Sequence, residues 1–317
     1  MSELQPIRNR VAVIDCGTNT FNLLVADPRE DGGWDTVYQT KLAVKIGEGS
    51  FEQAYIQPAR FARGLDALWC YKNACNNYEC SQLFAYGTSA LRDSSNGQEF
   101  IEIGSKILGA PIHLIDGEEE AALIFNGVKI TYPIVDETVL IMDIGGGSTE
   151  FVIANETGVL WKKSFALGVS RLYDTIRPSD PIQLEEVKAL KQFLRSELSS
   201  LSEALAAFQP TRLIGSSGSF DTLLDLYFAG VKLEKPKDQQ IHRIPIHVMQ
   251  GLNDQLLLST YDQRLRNPVI PEMRAQFMPL ASALVDYVLH MHTFQEIIHS
   301  AYSLKEGALA RLLAQDK

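Results

Sequence analysis

VAVIDCGTNTFNLLVAD, residues 11–27, returns in altered form 128 positions later as VLIMDIGGGSTEFVIAN, residues 139–155. The two segments align without a gap, with Asp15 on Asp143, Gly17 on Gly145 and Thr20 on Ser148. A second pair has the same offset: AYGTSALRD (85–93) falls on LIGSSGSFD (213–221), with Gly87 on Gly215, Ser89 on Ser217 and Asp93 on Asp221. A duplicated unit of about 128 residues follows. Each copy has an apolar strand ending in Asp-x-Gly, a tight turn of Gly, Ser or Thr, and a second apolar strand. Turns of that kind turn backbone N–H groups toward phosphate, so the duplication suggests two jaws closing on a phosphorylated ligand.

The flanking sequence extends each hairpin into an α/β layer. In the first copy a third strand near 36–46, a helix around 55–78 with Phe61, Leu65 and Leu68 at helical spacing, a buried strand at 83–86, a helix capped by Asn96 and ending at Gly109, and a strand at 111–116 are expected. The second copy repeats the order with strands at 139–143, 149–154 and 158–166, one long amphipathic helix near 182–208, a strand at 211–215 and a helix from about 218. Residues 231–294 have no counterpart in the first copy and read as two or three helices broken at Pro245, Pro268, Pro271 and Pro279. A last strand at 296–302 and a terminal helix close the chain. The expected fold is α/β: two duplicated domains with mixed sheets and a ligand cleft between them, one formed by 1–120 plus 303–317, the other by 121–302.

Composition narrows the function. The chain has 317 residues, 45% of them apolar, enough for two ordinary cores. MSELQPIRNR has no apolar leader region and no stretch approaches a membrane span, so a soluble, cytoplasmic protein with no membrane partner is expected. A net charge of −10 speaks against nucleic acid. An anionic substrate must then be held by metal ions, local cations and backbone dipoles. Cys16, Cys70, Cys75 and Cys80 match neither a zinc nor a redox spacing and read as buried or partly buried free thiols. The six histidines form no metal-ligand pattern.

DIGGGSTE (143–150) is the strongest chemical signal. Gly145, Gly146 and Gly147 are expected to reach φ > 0 and approach a ligand closely, with Ser148 beside them. Asp143 and Glu150 could face one Mg²⁺ or its waters, since that ion takes few carboxylates and shares substrate oxygens. In the opposing turn, Thr18, Asn19 and Thr20 can donate to phosphate and Asp15 can hold a metal-bound water. GTSALRD (87–93) offers Ser89 as a donor and Arg92 as a fork suited to phosphate, or else as an ion-pair partner of Asp93 or Glu99. GSSGSFD (215–221) reads as a further phosphate or nucleotide loop through Gly215 and Ser216. GEEEAALIF (117–125) supplies Glu118, Glu119 and Glu120, either as the proton acceptor for attacking water or as acidic residues favoured in a first helical turn.

Together these motifs resemble the exopolyphosphatase/guanosine pentaphosphate phosphohydrolase family, of the actin-like, ribonuclease H-like group, over nearly the whole chain. The resemblance implies Mg²⁺ as cofactor, a cleft holding the terminal phosphates of a polyanion, and Glu120 as the base that activates water. It assigns metal and phosphate roles to Asp143, Gly145, Ser148 and Glu150, and carries over Asp15 and Arg92. It also allows a homodimer. Four departures accompany it: no C-terminal helical extension of the HD type, Ala122 where an Arg is usual, Asn22 where a His or Arg is common, and Lys305 where an Arg is usual. The first puts processive action on long polyphosphate in question, and the four together point to a weak enzyme or an altered substrate. The expected function is hydrolysis of the terminal phosphoanhydride bond of inorganic polyphosphate. Alternatives are removal of the 5′-γ-phosphate of guanosine pentaphosphate, a kinase of the same fold, and a catalytically weak polyphosphate or alarmone binder.

Overall fold

In a computed structural model describing residues 9–315, the two hairpins form the centres of two sheets. Residues 1–8, where an apolar leader was looked for, and residues 316–317 lie outside the described residues. Backbone contacts divide the chain into one unit of Met1–Asp116 with Lys305–Lys317 and another of Gly117–Leu304. The boundary thus falls before the three glutamates, which belong with the second unit.

The first unit holds β1 (Val11–Cys16), β2 (Thr20–Pro28), β3 (Trp34–Ala43), α1 (Pro58–Asn77), β4 (Gln82–Gly87), α2 (Ser89–Arg92), α3 (Gly97–Leu108) and β5 (Ile112–Leu114). Its sheet order is β3-β2-β1-β4-β5, antiparallel on the β3 side and parallel from β1 to β5. Helix α1 begins at Pro58, whose missing N–H costs nothing in a first turn, and not near residue 55. Asn96 sits at the N-cap position of α3 without capping it. Its buried amide instead accepts from Ile56 N at 2.8 Å and donates to Ile56 O at 2.9 Å, closing the loop before α1. Gly109 ends α3 in the left-handed region at φ 67°, as expected.

The second unit holds α4 (Gly117–Thr131), β6 (Val139–Ile144), β7 (Thr149–Asn155), β8 (Gly158–Phe165), α5 (Val169–Ile176), α6 (Leu184–Glu197), α7 (Ser199–Phe208), β9 (Arg212–Ser216), α8 (Ser217–Gly230), β10 (Ile241–Ile244), α9 (Ile246–Leu258), α10 (Tyr261–Arg266), α11 (Glu272–Ala275), α12 (Met278–Met291) and β11 (Glu296–Ser300). Helix α13 (Leu304–Gln315) follows and lies mostly in the first unit. The order β10-β11-β9-β6-β7-β8 repeats the first sheet strand for strand, with β10 added antiparallel at the edge beyond β11. The fold is therefore α/β with two mixed, duplicated sheets.

Three expectations change. The single helix near 182–208 is two helices meeting at Leu198, preceded by the separate α5. Residues 231–294 supply a strand as well as helices, and Pro279 starts α12 where it was expected to break one. The second sequence match is also out of step in the sheets. Gly87 pairs with Cys16, whereas Gly215 pairs with Met142, the counterpart of Ile14. The slip is two residues, and an even slip keeps each side chain on its own face. Among the described residues no helix is long and apolar enough to cross a membrane.

Candidate active site

Both hairpin loops are built by the same device. In the second unit Gly145 N donates to Ser148 O at 3.0 Å, and in the first Gly17 N donates to Thr20 O at 3.1 Å. A side chain at either glycine would crowd that acceptor carbonyl, at 3.0 Å for Gly145 and 2.8 Å for Gly17, so both turns favour glycine, Gly17 the more strongly. None of Gly145, Gly146 and Gly147 has positive φ, contrary to expectation. Close approach instead marks Gly168: a methyl there would lie 2.4 Å from the Gly146 carbonyl and the Gly147 nitrogen, so two backbones already touch.

That contact decides which way the loop faces. The carbonyls of Gly145 and Gly146 accept from Val169 N at 3.0 Å and Ser170 N at 2.8 Å, and Gly147 O accepts from Arg171 Nε at 2.8 Å. In a trans peptide the N–H points opposite to the C=O. The amides of Gly146, Gly147 and Ser148 therefore point away from α5, forming a row of donors. The first unit repeats this: Thr18 O accepts from Gly47 N at 3.2 Å, and Asn19 O from Val44 N and Lys45 N at 3.0 Å. The Asn19 and Thr20 amides turn away from that support. A row of aligned N–H groups is a concave site for an anion.

The carboxylates stand at the strand ends beside these loops. Asp143 and Glu150 are register partners across β6 and β7, which puts both side chains on one face. Asp143 Oδ2 accepts from Ser216 Oγ at 2.7 Å and from Ser303 Oγ at 2.5 Å. Glu150 Oε1 accepts from Ser164 Oγ at 2.7 Å. Burial raises the pKa of Asp143 above the usual carboxylate value; the hydroxyls of Ser303, Ser216 and Ser217 pull it back down, and the charge of Asp221 adds to the rise. Among the described residues no three His, Cys, Asp or Glu side chains cluster as a cage for a metal. Two carboxylates on one face, steadied by hydroxyls, instead suit Mg²⁺ that keeps waters and shares phosphate oxygens. In the first unit the partner of Asp15 is Asn22, whose Nδ2 donates to Asp15 Oδ2 at 2.9 Å, so that hairpin carries one carboxylate capped by an amide.

Helix α4 separates the three glutamates. Glu118 is exposed, its carbonyl accepting from Lys162 Nζ at 2.6 Å; Glu119 is half-buried; Glu120 is 8% exposed. Gly117 lies on Ser164, where a methyl would come within 2.3 Å of Cβ, and Ser164 is the residue that holds Glu150. Glu120 is three residues on, on the same face of the helix. Gly127 seats the helix against Ser303 in the same way, with a Cβ-to-oxygen distance of 2.1 Å if a methyl were present.

The remaining sequence candidates have local partners. Ser216 orients Asp143, and Gly215 makes room for the Phe220 ring, 2.0 Å from where its Cβ would stand. Ser217 begins α8 at φ 65°. In the first unit Thr88 N donates to Cys16 O at 3.4 Å, which brings the loop after β4 alongside the hairpin end. Ser89 Oγ donates to Asp93 at 3.1 Å. Arg92 donates to Ile115 O at 2.8 Å and lies 3.6 Å from Asp93. Lys305 pairs with Glu306 at 2.8 Å. Ser164, Gly168 and Arg171 complete the arrangement without any motif to announce them, Gly168 hinting only as a glycine just past a strand; Ser303 opens the SLKEG segment (303–307), which drew notice for Lys305 alone.

Residues 24–316 match the model of the Ppx/GppA phosphatase family. The chain belongs to that family. Among solved Ppx/GppA-related structures, an exopolyphosphatase from Cytophaga hutchinsonii superposes with a TM-score of 0.94 at 36% identity, covering 96% of this chain and 98% of that one. Exopolyphosphatase 2 of Mycobacterium tuberculosis is 31% identical over 222 residues, 68% of this chain and 69% of the relative. An Aquifex aeolicus Ppx/GppA family member shares the fold with a TM-score of 0.81 at 24% identity, covering 97% of this chain and 98% of that one. Membership makes the chain a phosphatase, that is, a hydrolase.

Proposed function

We propose that this phosphatase is an exopolyphosphatase, hydrolysing the terminal phosphoanhydride bond of inorganic polyphosphate to release orthophosphate, with Mg²⁺ held at Asp143 and Glu150. The carrying observation is the join in the second unit of an outward-facing amide row, Gly146 to Ser148, with a carboxylate pair at its strand ends. The names of the relatives at 36% and 31% identity support the choice of substrate.

On this reading the amides of Gly146, Gly147 and Ser148 bind terminal phosphate oxygens and orient the phosphorus. Glu120 takes a proton from water as its oxygen bonds to that phosphorus. The bond to the bridging oxygen breaks, and the shortened chain leaves with the electron pair. A bound divalent cation would supply charge neutralisation for the phosphate oxygens. Ser216, Ser303 and Ser164 hold the carboxylates in place. In the first unit, Arg92, Ser89 and the Thr18–Thr20 turn are proposed as phosphate contacts in their own right.

The test is orthophosphate release with Mg²⁺ from long polyphosphate, a short oligophosphate and guanosine pentaphosphate. Release from polyphosphate is expected. Turnover of the nucleotide alone would assign the protein to pentaphosphate hydrolysis, and binding with no release from any of the three would make it a sensor.

A further inference from the structure

Helix α1 ends in a complete left-handed cap. Glu79 takes φ 54°, Glu79 N donates to Asn76 O at 3.1 Å, and Cys80 N donates back to Cys75 O at 2.9 Å. This pair of bonds folds the residue two past the cap onto the last turn of the helix, where two apolar side chains usually meet. Here both are cysteines: Cys75 lies in the core of the first unit and Cys80 packs against that core. A spacing of five, which has no meaning in an extended chain, thus becomes a contact.

The two thiols differ in surroundings. Cys75 is 3% exposed in the core of the first unit, while Cys80 is half-buried. Arg10 anchors the same turn, donating to Tyr78 O at 2.7 Å and to Asp27 at 2.7 and 2.9 Å. The neighbouring Cys75 thiol, then the Arg10 charge, lower the Cys80 pKa against the opposing effect of burial; the neighbouring Cys80 and burial raise that of Cys75. A half-buried sulfur with lowered pKa beside a buried one with raised pKa suits a nucleophile and a resolving thiol. Among the described residues there is no third ligand to make the pair a metal site.

We propose that Cys75 and Cys80 are a reversible dithiol/disulfide pair that closes across the end of α1 under peroxide. The Cys80 thiolate attacks one oxygen of hydrogen peroxide; the O–O bond breaks and hydroxide leaves, taking the Cys75 proton to become water. The Cys75 thiolate then attacks the Cys80 sulfenic sulfur; the S–S bond forms and the S–O bond breaks. The second hydroxide takes up the proton that Cys80 released on ionising. Two thiols are oxidised and one peroxide becomes two waters.

The test is peroxide treatment of the folded protein, alkylation, and non-reducing peptide mapping. Tryptic fragment 73–92 contains Cys75 and Cys80 and neither other cysteine. The fragment should become two hydrogens lighter and resist alkylation, while the exposed Cys70 in the preceding fragment still alkylates before treatment and after. Dithiothreitol should restore both thiols. Cys80→Ser should abolish the mass loss yet keep untreated phosphate release at the wild-type rate; a Cys80→Ala variant gives the same reading if serine disturbs the turn. Continued alkylation of both cysteines after peroxide, or oxidation of Cys80 to sulfinic acid without the bridge, would overturn the proposal.

Discussion

Asp143 and Glu150 stand opposite each other across β6 and β7, whereas the equivalent pair in the first unit is Asp15 and Asn22. Duplication has left one hairpin with two carboxylates and the other with a carboxylate capped by an amide. Like charges directly opposite on one sheet face are destabilising, so the pair in the second unit costs stability that a bound cation would return. Mg²⁺ at a hundredfold excess over its Kd should therefore raise stability by about 2.7 kcal/mol. Thermal melts of wild type should shift upward with Mg²⁺, and those of Asp143→Asn or Glu150→Gln should not. Equal shifts in all three would place the ion elsewhere.

The raised pKa of Asp143 sets a pH dependence. A carboxyl that keeps its proton to higher pH when folded favours folding below its ordinary value of about 3.9, and that advantage is lost as pH rises through the raised value. Without Mg²⁺, the stability of Asp143→Asn relative to wild type should therefore increase from pH 4 upward and level off once the folded carboxyl is ionised. Urea titrations across that range check it; a difference independent of pH would contradict it.

Gly168 holds the amide row in place. Gly168→Ala puts a methyl 2.4 Å from backbone that cannot rotate away. Overpacking of this kind costs about 1–3 kcal/mol, and here it also displaces the loop, so KM for polyphosphate should rise. Gly251→Ala, in the middle of α9 with nothing within 4 Å, should instead stabilise by about 0.5–1 kcal/mol and leave kinetics unchanged. Urea melts and steady-state kinetics on the two variants separate loop displacement from a general effect of added side chains.

Asn96 bridges the buried N–H and C=O of Ile56. Asn96→Ala leaves two buried backbone groups without that partner, at about 1–3 kcal/mol each, while Asn96→Asp keeps the acceptor only and should fall between alanine and wild type. Denaturant unfolding of both variants measures this. A loss under 1 kcal/mol for alanine would mean the bridge carries little.

The two hairpins and the mixed character of both sheets were legible because Asp-x-Gly turns between apolar runs admit few alternatives; the order of strands within each sheet was not read. The buried Glu120 could be singled out only through the family resemblance, since three adjacent glutamates look alike until a helix face is chosen. Elsewhere the deciding interaction joins residues far apart in the chain. Asn96 answers Ile56 across 40 positions, and Ser303 answers Asp143 across 160. Gly215 reads as part of a phosphate loop, and nothing in the sequence tells that Phe220 fills the space beside it. Strand β10 is four residues, IHRI, too short for alternation to show, and it exists because β11 offers a free edge. Cys75 and Cys80 meet only because the chain reverses at Glu79.

The most direct test of the proposed chemistry is orthophosphate release by Glu120→Gln beside wild type, with polyphosphate binding measured on both. Removing a proton acceptor while keeping its shape should lower the rate by about 10²–10⁴-fold and leave affinity nearly unchanged. A variant that releases phosphate at the wild-type rate would contradict the assignment of Glu120 as the base.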